Sequence, residues 1–169
     1  LPDGRKRWFY PSELDIVYDA KGRIEKITAK EDGLPVKSGG IEKMSKSKNN
    51  VVEPSAIIGK FGADTARAFV MFAGPPDQSA AWSNSGAEGT FRFMRRLWNF
   101  GFTHQDVIKE NVILDVAKLN HEEKAVRRDI YTALKQDEFD LDRMQYNTVV
   151  SAAMQILHSL ETLKDHTYE

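Results

Sequence analysis

Residues 43–47 of this chain read KMSKS, and the sequence continues as KNN to residue 50 and as FGADTAR over residues 61–67. At residue frequencies of a few per cent, a given string of five arises by chance in a chain of this size with odds on the order of one in ten thousand. Glycines at 39 and 40 precede the pentapeptide and give it freedom to move. The pattern predicts a flexible cationic loop, and the simplest alternative is a solvated lysine–serine turn.

Composition and charge exclude several classes of protein. The net charge of −1 gives no strong overall field for nucleic acid, so any RNA contact must come from local patches. The chain has no cysteine, which excludes disulfides and cysteine zinc sites, and its four histidines show no paired metal-ligand spacing. The glycine–lysine–serine order of a Walker loop is also absent. We therefore predict neither a metal site nor a P-loop in this chain.

The sequence shows no sign of a membrane segment. No apolar run approaches the roughly 20 residues that span a bilayer, and no signal peptide opens the chain. These features predict no membrane partner and a cytoplasmic location. The chain begins at Leu1 without an initiator methionine and stops at Glu169 directly after a predicted helix. We expect it to be a fragment of a longer protein.

The first 42 residues alternate short apolar runs with turn residues. Residues 14–18 and 23–28 have strand character, and the sequence DAKG at 19–22 predicts a hairpin turn between them. Residues 34–36 predict a third, short edge strand, because Pro35 has no N–H to donate to a central ladder. This segment is therefore expected to be a small β-rich unit.

Helical patterns follow the lysine loop. Pro54 at a first helical position predicts a helix that stops near Lys60, with Gly62 in a left-handed conformation. Asp64 predicts the N-cap of a second helix that runs to about Phe72. A third helix is predicted from about Ser85. Its apolar stripe, predicted to face the core, consists of Phe91, Met94, Leu97, Trp98 and Phe102.

Two more helices complete the prediction. Asn120 and Glu123 have the spacing of a capping box that opens one helix, and the last helix is predicted from about Asp140. The inward positions are Val126, Ile130, Ala133 and Leu134 in the first and Met144, Val149, Ala152, Ala153, Ile156, Leu160 and Leu163 in the second. The predicted fold class is α+β: a small β-rich segment, then the lysine loop and connector helices, then the start of an antiparallel helical bundle.

The pentapeptide resembles the lysine loop of the class I aminoacyl-tRNA synthetases, and the chain is most similar to the bacterial leucyl-tRNA synthetases. The asparagine pair at 49–50 favours the leucine enzymes, because the isoleucine and valine enzymes more often have glycine before a single asparagine. The likeness is strong from residue 43 to 98 and weaker at both ends. It also includes MFAGPPD at 71–77, Trp82, Glu88-Gly89, Arg92-Phe93, Trp98 and RMQYN at 143–147.

The resemblance implies three parts and a set of partners. Residues 1–42 are the remnant of a β-rich leucine-specific insertion, residues 43–90 the lysine loop and stem-contact connector, and residues 91–169 the start of a helical anticodon-binding-type domain. The family uses ATP as substrate with Mg²⁺, and the full-length enzyme takes leucine and tRNA(Leu). The resemblance further implies that the intact protein is a monomer.

The same resemblance implies roles for the loop residues. Lys46 is the ATP-contacting catalytic lysine and Lys43 its helper, while Met44, Ser45 and Ser47 complete the ATP-binding loop. Amino-acid activation expels pyrophosphate, so cations that meet the growing charge on the departing phosphates accelerate the step. Lysine suits this task because it is a compact charge on a flexible stem. The two serines can donate hydrogen bonds, and Met44 is expected to anchor the loop on the domain beneath it.

Three arginines on the third predicted helix are candidate tRNA contacts. Arg92, Arg95 and Arg96 lie off the apolar stripe, where arginines bind phosphate or simply solvate a helix face. With Trp98 as a stacking surface, they also define a different class of function, a non-catalytic helical RNA-binding module. A third reading is an interaction scaffold that uses the open end of the bundle. Another synthetase of the isoleucine, valine and methionine group is the alternative within the family.

The family's other signature motif is absent from this sequence. The first half of the class I catalytic site carries His-x-Gly-His, and no such string occurs here. We therefore expect the chain by itself neither to activate leucine nor to charge tRNA.

Overall fold

The computed structural model describes residues 6–20, 23–110 and 115–163. The chain forms two compact units, the first ending at Glu53 and the second beginning at Pro54. In the described ranges, the first contains a two-stranded antiparallel sheet and the second contains six α-helices. The predicted α+β class is confirmed. None of these helices is long and apolar enough to cross a membrane.

The sheet of the first unit is the predicted hairpin. Strand β1 (Leu14–Tyr18) pairs with β2 (Ile24–Ala29), and Leu14 stands opposite Ala29. Turn residues 21 and 22 lie outside the described residues. The predicted third strand is wrong: Pro35 makes only an isolated bridge to Thr28. A proline cannot donate to the ladder, so pairing does not propagate through it.

The helices of the second unit are α1 (Pro54–Phe61), α2 (Ala63–Phe72), α3 (Asn84–Thr103), α4 (Gln105–Glu110), α5 (His121–Asp142) and α6 (Tyr146–Thr162). Short helix α4 was not predicted. The last helix begins at Tyr146 instead of Asp140, because Met144 takes a positive φ of 56° and interrupts the helix. Helices α5 and α6 therefore pack as a hairpin joined by three residues.

Helix starts depend on local capping. Gly62, with φ 86° and ψ 158°, is the N-cap of α2, so the prediction of Asp64 at that position is wrong. Asp64 lies in the first turn, where its charge still complements the helix dipole. The predicted capping box at α5 is confirmed: the Glu123 amide donates to Asn120 Oδ1 at 3.0 Å, and the Asn120 amide donates to Glu123 Oε2 at 2.7 Å.

The core of the second unit lies where α1, α2 and the start of α3 meet. Phe61, Phe69 and Ala87 are buried there, and the Phe69 ring lies edge-on to Trp82 at 4.9 Å between centroids. A Cβ on Gly86 would come within 2.8 Å of the Phe69 ring, so glycine permits the close approach of α3 to α2. Small residues form this contact at the start of α3, and Phe91 of the same helix packs against the cluster beside Phe61.

That packing overturns part of the predicted core. The side chains buried on α3 are Ala87, Thr90 and Phe93, whereas Trp98 is 75% and Phe102 65% exposed. Three further residues predicted to face inward, Leu97, Leu134 and Met144, are also exposed. The apolar spacing is helical as predicted, but the buried side chains of α3 all lie in its first half, and the stripe residues beyond Met94 are exposed.

The predicted parts do not coincide with the compact units. The structural division falls after Glu53, so the lysine loop belongs to the same unit as the hairpin. Helix α3 also runs without a break through residue 90. The functional boundaries at 42/43 and 90/91 stay predictions.

Candidate functional site

The lysine loop is built on one tight turn. Residues Lys46–Lys48 form a 3-10 helix that follows the extended Ser45 and ends at Asn49, which is left-handed at φ 52° and ψ 28°. The amides of Lys48 and Asn49 donate to the carbonyls of Ser45 and Lys46 at 3.0 and 3.2 Å. Asparagine tolerates the left-handed region better than most residues. Asn49 therefore allows the chain to reverse directly after the pentapeptide.

Asn50 closes the loop from its other side. Its Oδ1 accepts a hydrogen bond from the Ser45 amide at 2.7 Å, and its Nδ2 donates to the Lys43 carbonyl at 3.2 Å. One amide side chain thus fixes the backbone at two points of the pentapeptide. Sequence reasoning used this asparagine only as a family marker and missed its structural role.

Lys48 is held in place by the Glu42 carboxylate and by the Trp8 ring. Its Nζ lies 2.5 Å from Glu42 Oε2 and 5.5 Å from the centre of the Trp8 ring. The hydrogen bond from Lys48 lowers the pKa of the Glu42 carboxyl below its usual value. The Trp8 carbonyl also accepts a hydrogen bond from Asn49 Nδ2 at 2.9 Å. Trp8, far away in sequence, therefore supports the turn, and no local sequence signal indicates this.

The side chains of Lys43 and Lys46 are available to contact a ligand. Both side chains are exposed, and among the described residues neither has a carboxylate within 4.0 Å. Ser45 and Ser47 share a hydrogen bond between their hydroxyl oxygens at 2.8 Å. Met44 is 45% exposed, so its predicted anchoring role is not seen within this unit; the two asparagines and Trp8 hold the loop instead. Two exposed ammonium groups on a turn with a hydrogen-bonded backbone can donate hydrogen bonds to an anionic ligand.

The three candidate arginines occupy one face of α3 but differ in their contacts. Arg96 makes an ion pair with Glu161 of α6, and this contact raises the pKa of Arg96 and lowers that of Glu161. The Arg95 guanidinium lies 5.8 Å from the centre of the Phe91 ring. Arg92 is exposed. The role of these arginines in tRNA binding stays a prediction, and Arg96 already has a structural partner.

A metal centre is not evident in the described part of the chain. No group of three or more His, Asp or Glu side chains within these ranges is arranged to hold a metal ion. The loop's polar groups are ammonium, hydroxyl and amide groups, which favour a phosphate ligand over a cation.

Comparison with known proteins gives consistent matches. A family model described as tRNA synthetases class I (I, L, M and V) matches residues 31–83. The leucine–tRNA ligase of Methylibium petroleiphilum is 58% identical over 94% of this chain and 18% of its own length. That of Paraburkholderia xenovorans is 52% identical over 95% of this chain and 19% of its own. The chain thus spans about a fifth of the length of the curated relatives it matches.

A solved structure shares the fold. It is the ternary complex of Agrobacterium radiobacter K84 agnB2 LeuRS with tRNA and LeuAMS, with a TM-score of 0.61 and 24% sequence identity. The match covers 70% of this chain and 16% of that one.

Proposed function

This chain belongs to the leucine–tRNA ligase family of class I tRNA synthetases, and we propose that it supplies the lysine loop of a longer leucine–tRNA ligase. The whole enzyme activates leucine with ATP and transfers it to tRNA(Leu). The observation that carries the proposal is the exposed pair Lys43 and Lys46, which have no carboxylate partner among the described residues, on a turn whose backbone is fixed by Asn50.

The chemistry follows from the charges. An oxygen of the leucine carboxylate attacks the α-phosphorus of ATP, the bond to the bridging oxygen of the β-phosphate breaks, and pyrophosphate leaves with the bonding electrons. Negative charge grows on the pyrophosphate in the transition state. Lys46, assisted by Lys43, donates hydrogen bonds to that charge, and the fixed turn reduces the reorganisation needed at that moment. Met44, Ser45 and Ser47 form the rest of the proposed ATP-binding segment.

The remaining partners belong to the whole enzyme. Leucine and tRNA(Leu) are its proposed substrates together with ATP, and the proposed form is a cytoplasmic monomer. The family implies Mg²⁺ with ATP. The described residues do not offer a set of acidic ligands for that ion.

The test is ATP–pyrophosphate exchange by the full-length gene product, with each amino acid supplied separately. Exchange with leucine far above isoleucine, valine and methionine is expected. Preference for one of those three would keep the lysine-loop mechanism and overturn the choice of leucine. No exchange with any amino acid would overturn the proposal. We expect the 169-residue chain alone to give no exchange, and leucine-dependent exchange by it would contradict that expectation.

A further inference from the structure

An ion pair joins the two ends of the pentapeptide. Glu42 directly precedes the pentapeptide and Lys48 directly follows it, and the Lys48 ammonium lies 2.5 Å from the Glu42 carboxylate. The hydrogen bond and the charge of Lys48 are the main reasons why the pKa of Glu42 is lowered, and Lys6 adds a smaller effect of the same sign. The pentapeptide is therefore closed by side chains at its ends as well as by the hydrogen bonds of its turn.

This pair distinguishes one lysine from the other two. Residues 42–50 contain three lysines and one acid, a net charge of +2. The single acid pairs with Lys48, whereas Lys43 and Lys46 have no carboxylate within 4.0 Å among the described residues. Lys48 is also the least free of the three, because its side chain is only 30% exposed and lies over the Trp8 ring. The net charge of the loop therefore resides on the two exposed lysines.

A third free cation in this loop would act differently from the first two. An ammonium group that is not held in a fixed position attracts the phosphates of ATP before the reaction as strongly as during it. Such uniform binding lowers KM without raising kcat. Release of Lys48 would also remove one support of the turn that presents Lys46. Loss of the acid should therefore change KM and kcat separately.

We propose that Glu42 is a positioning residue for leucine activation. It holds Lys48 beside Trp8, so that the turn keeps its shape and only Lys43 and Lys46 meet the phosphates of ATP. Glu42 does not itself contact ATP, because its effect passes through Lys48. This inference rests on the proposed function and adds to it a residue outside the pentapeptide.

The experiment measures kcat and KM for ATP in ATP–pyrophosphate exchange by the full-length protein at saturating leucine. Partly exposed ion pairs contribute up to about fivefold in an equilibrium constant. In Glu42→Gln, KM for ATP is expected to fall about threefold because Lys48 is freed, and kcat is expected to fall about threefold because the turn is loosened. In the double variant Glu42→Gln, Lys48→Gln, KM should return to the wild-type value while kcat stays low.

The matched control is Glu31→Gln. Glu31 forms an exposed ion pair with Arg7 at 2.8 Å in the same unit, outside the pentapeptide, so the control makes the same change of charge and should leave both kinetic parameters unchanged. A reduced kcat with an unchanged KM in Glu42→Gln would overturn the proposal, because the pair would then only stabilise the turn. A KM that stays low in the double variant would also overturn it, because Lys48 would not be the cause.

Equilibrium binding of pyrophosphate alone to the full-length protein separates this proposal from the proposed function. Glu42→Gln should bind pyrophosphate about threefold more tightly than the wild type, and the double variant should bind it as the wild type does. This binding pattern in a protein that shows no exchange would overturn the proposed function and leave the effect of Glu42 on the charge of the loop. Leucine-dependent exchange in which Glu42→Gln behaves as Glu31→Gln does would overturn only the role of Glu42.

Discussion

The Lys48 ammonium lies 5.5 Å from the centre of the Trp8 ring, although the two residues are separated by most of the first unit. The same lysine pairs with Glu42, and the carbonyl of Trp8 accepts a hydrogen bond from Asn49. Of the lysines in and next to the pentapeptide, Lys48 is thus structural, while Lys43 and Lys46 stay exposed. This division of roles leads to the first three predictions.

Trp8→Leu should loosen the turn. It removes a cation–π contact that contributes about 0.5–1 kcal/mol at exposed sites, so the amides of Lys48 and Asn49 should lose about two- to fivefold of their hydrogen-exchange protection. Tyr18→Leu, an exposed aromatic of strand β1, is the control and should not change them. Unchanged protection in Trp8→Leu would show that the Trp8 ring does not stabilise the loop.

Asn50→Ala should impair activation by the full-length enzyme. It removes the hydrogen bonds to the Ser45 amide and the Lys43 carbonyl. A net cost of about 1.4 kcal/mol, from two bonds of typical strength, corresponds to roughly tenfold in the exchange rate. Asn99→Ala on the exposed surface of α3 is the matched control. A wild-type exchange rate in Asn50→Ala would mean that activation does not need the two hydrogen bonds of the Asn50 side chain.

Lys46→Ala should slow leucine activation about a hundredfold with leucine affinity little changed. The loss of one preorganised donor to a developing charge typically costs about 3 kcal/mol. The measurement is the separate determination of kcat and KM for leucine in the exchange reaction, with exposed Lys37→Ala as the control. A raised KM with an unchanged kcat would make Lys46 a ground-state binder instead.

Arg96 and Glu161 should be coupled in stability in a pH-dependent way. The ion pair lowers the pKa of Glu161 below its ordinary value of 4.5, so its contribution is present above that value and is lost as pH falls through the lowered pKa. A double-mutant cycle with Arg96→Ala and Glu161→Ala should show a small coupling at pH 7 that disappears in acid. The same double-mutant cycle on the exposed pair of Arg67 and Asp64, within α2, serves as the control. A coupling that persists after Glu161 is protonated would rule out the ionic origin.

Asp137→Asn should stabilise the helical hairpin at neutral pH. Burial and then the nearby Asp140 raise the pKa of Asp137, and its Oδ1 has no hydrogen-bond partner among the described residues. A raised pKa means that ionisation of the native state costs stability above the ordinary pKa, and that this cost fades as pH falls through the raised value. Removal of the charge should raise the unfolding free energy by roughly 1 kcal/mol at pH 7.

The measurement for Asp137 is urea unfolding of the chain at pH 7 and pH 3, and the gain should shrink at the lower pH. Glu138→Gln makes the same change of charge at an exposed neighbouring position and should have little effect. A loss of stability in Asp137→Asn at pH 7 would mean that the carboxylate has a favourable partner.

Much of the local structure could be predicted from the sequence by itself. The hairpin strands, the start of α1 at Pro54 and the capping box of Asn120 and Glu123 depend on residues close in the chain, and all three are confirmed. The family and the candidate loop could also be identified, because the pentapeptide and its continuation are long, local strings. Proline geometry, hairpin patterning and capping are short-range properties of the backbone.

The tertiary structure alone decided which helix faces are covered and how the loop is held. Trp98 has the spacing of a core residue, yet it is exposed because the residues that α3 buries, Ala87, Thr90 and Phe93, all lie in the first half of the helix. Trp8 supports a turn some forty residues away, as its hydrogen bond with Asn49 shows. Burial and long-range contacts depend on which elements meet. A periodic pattern predicts the apolar face of one element, but it does not predict which element packs against that face.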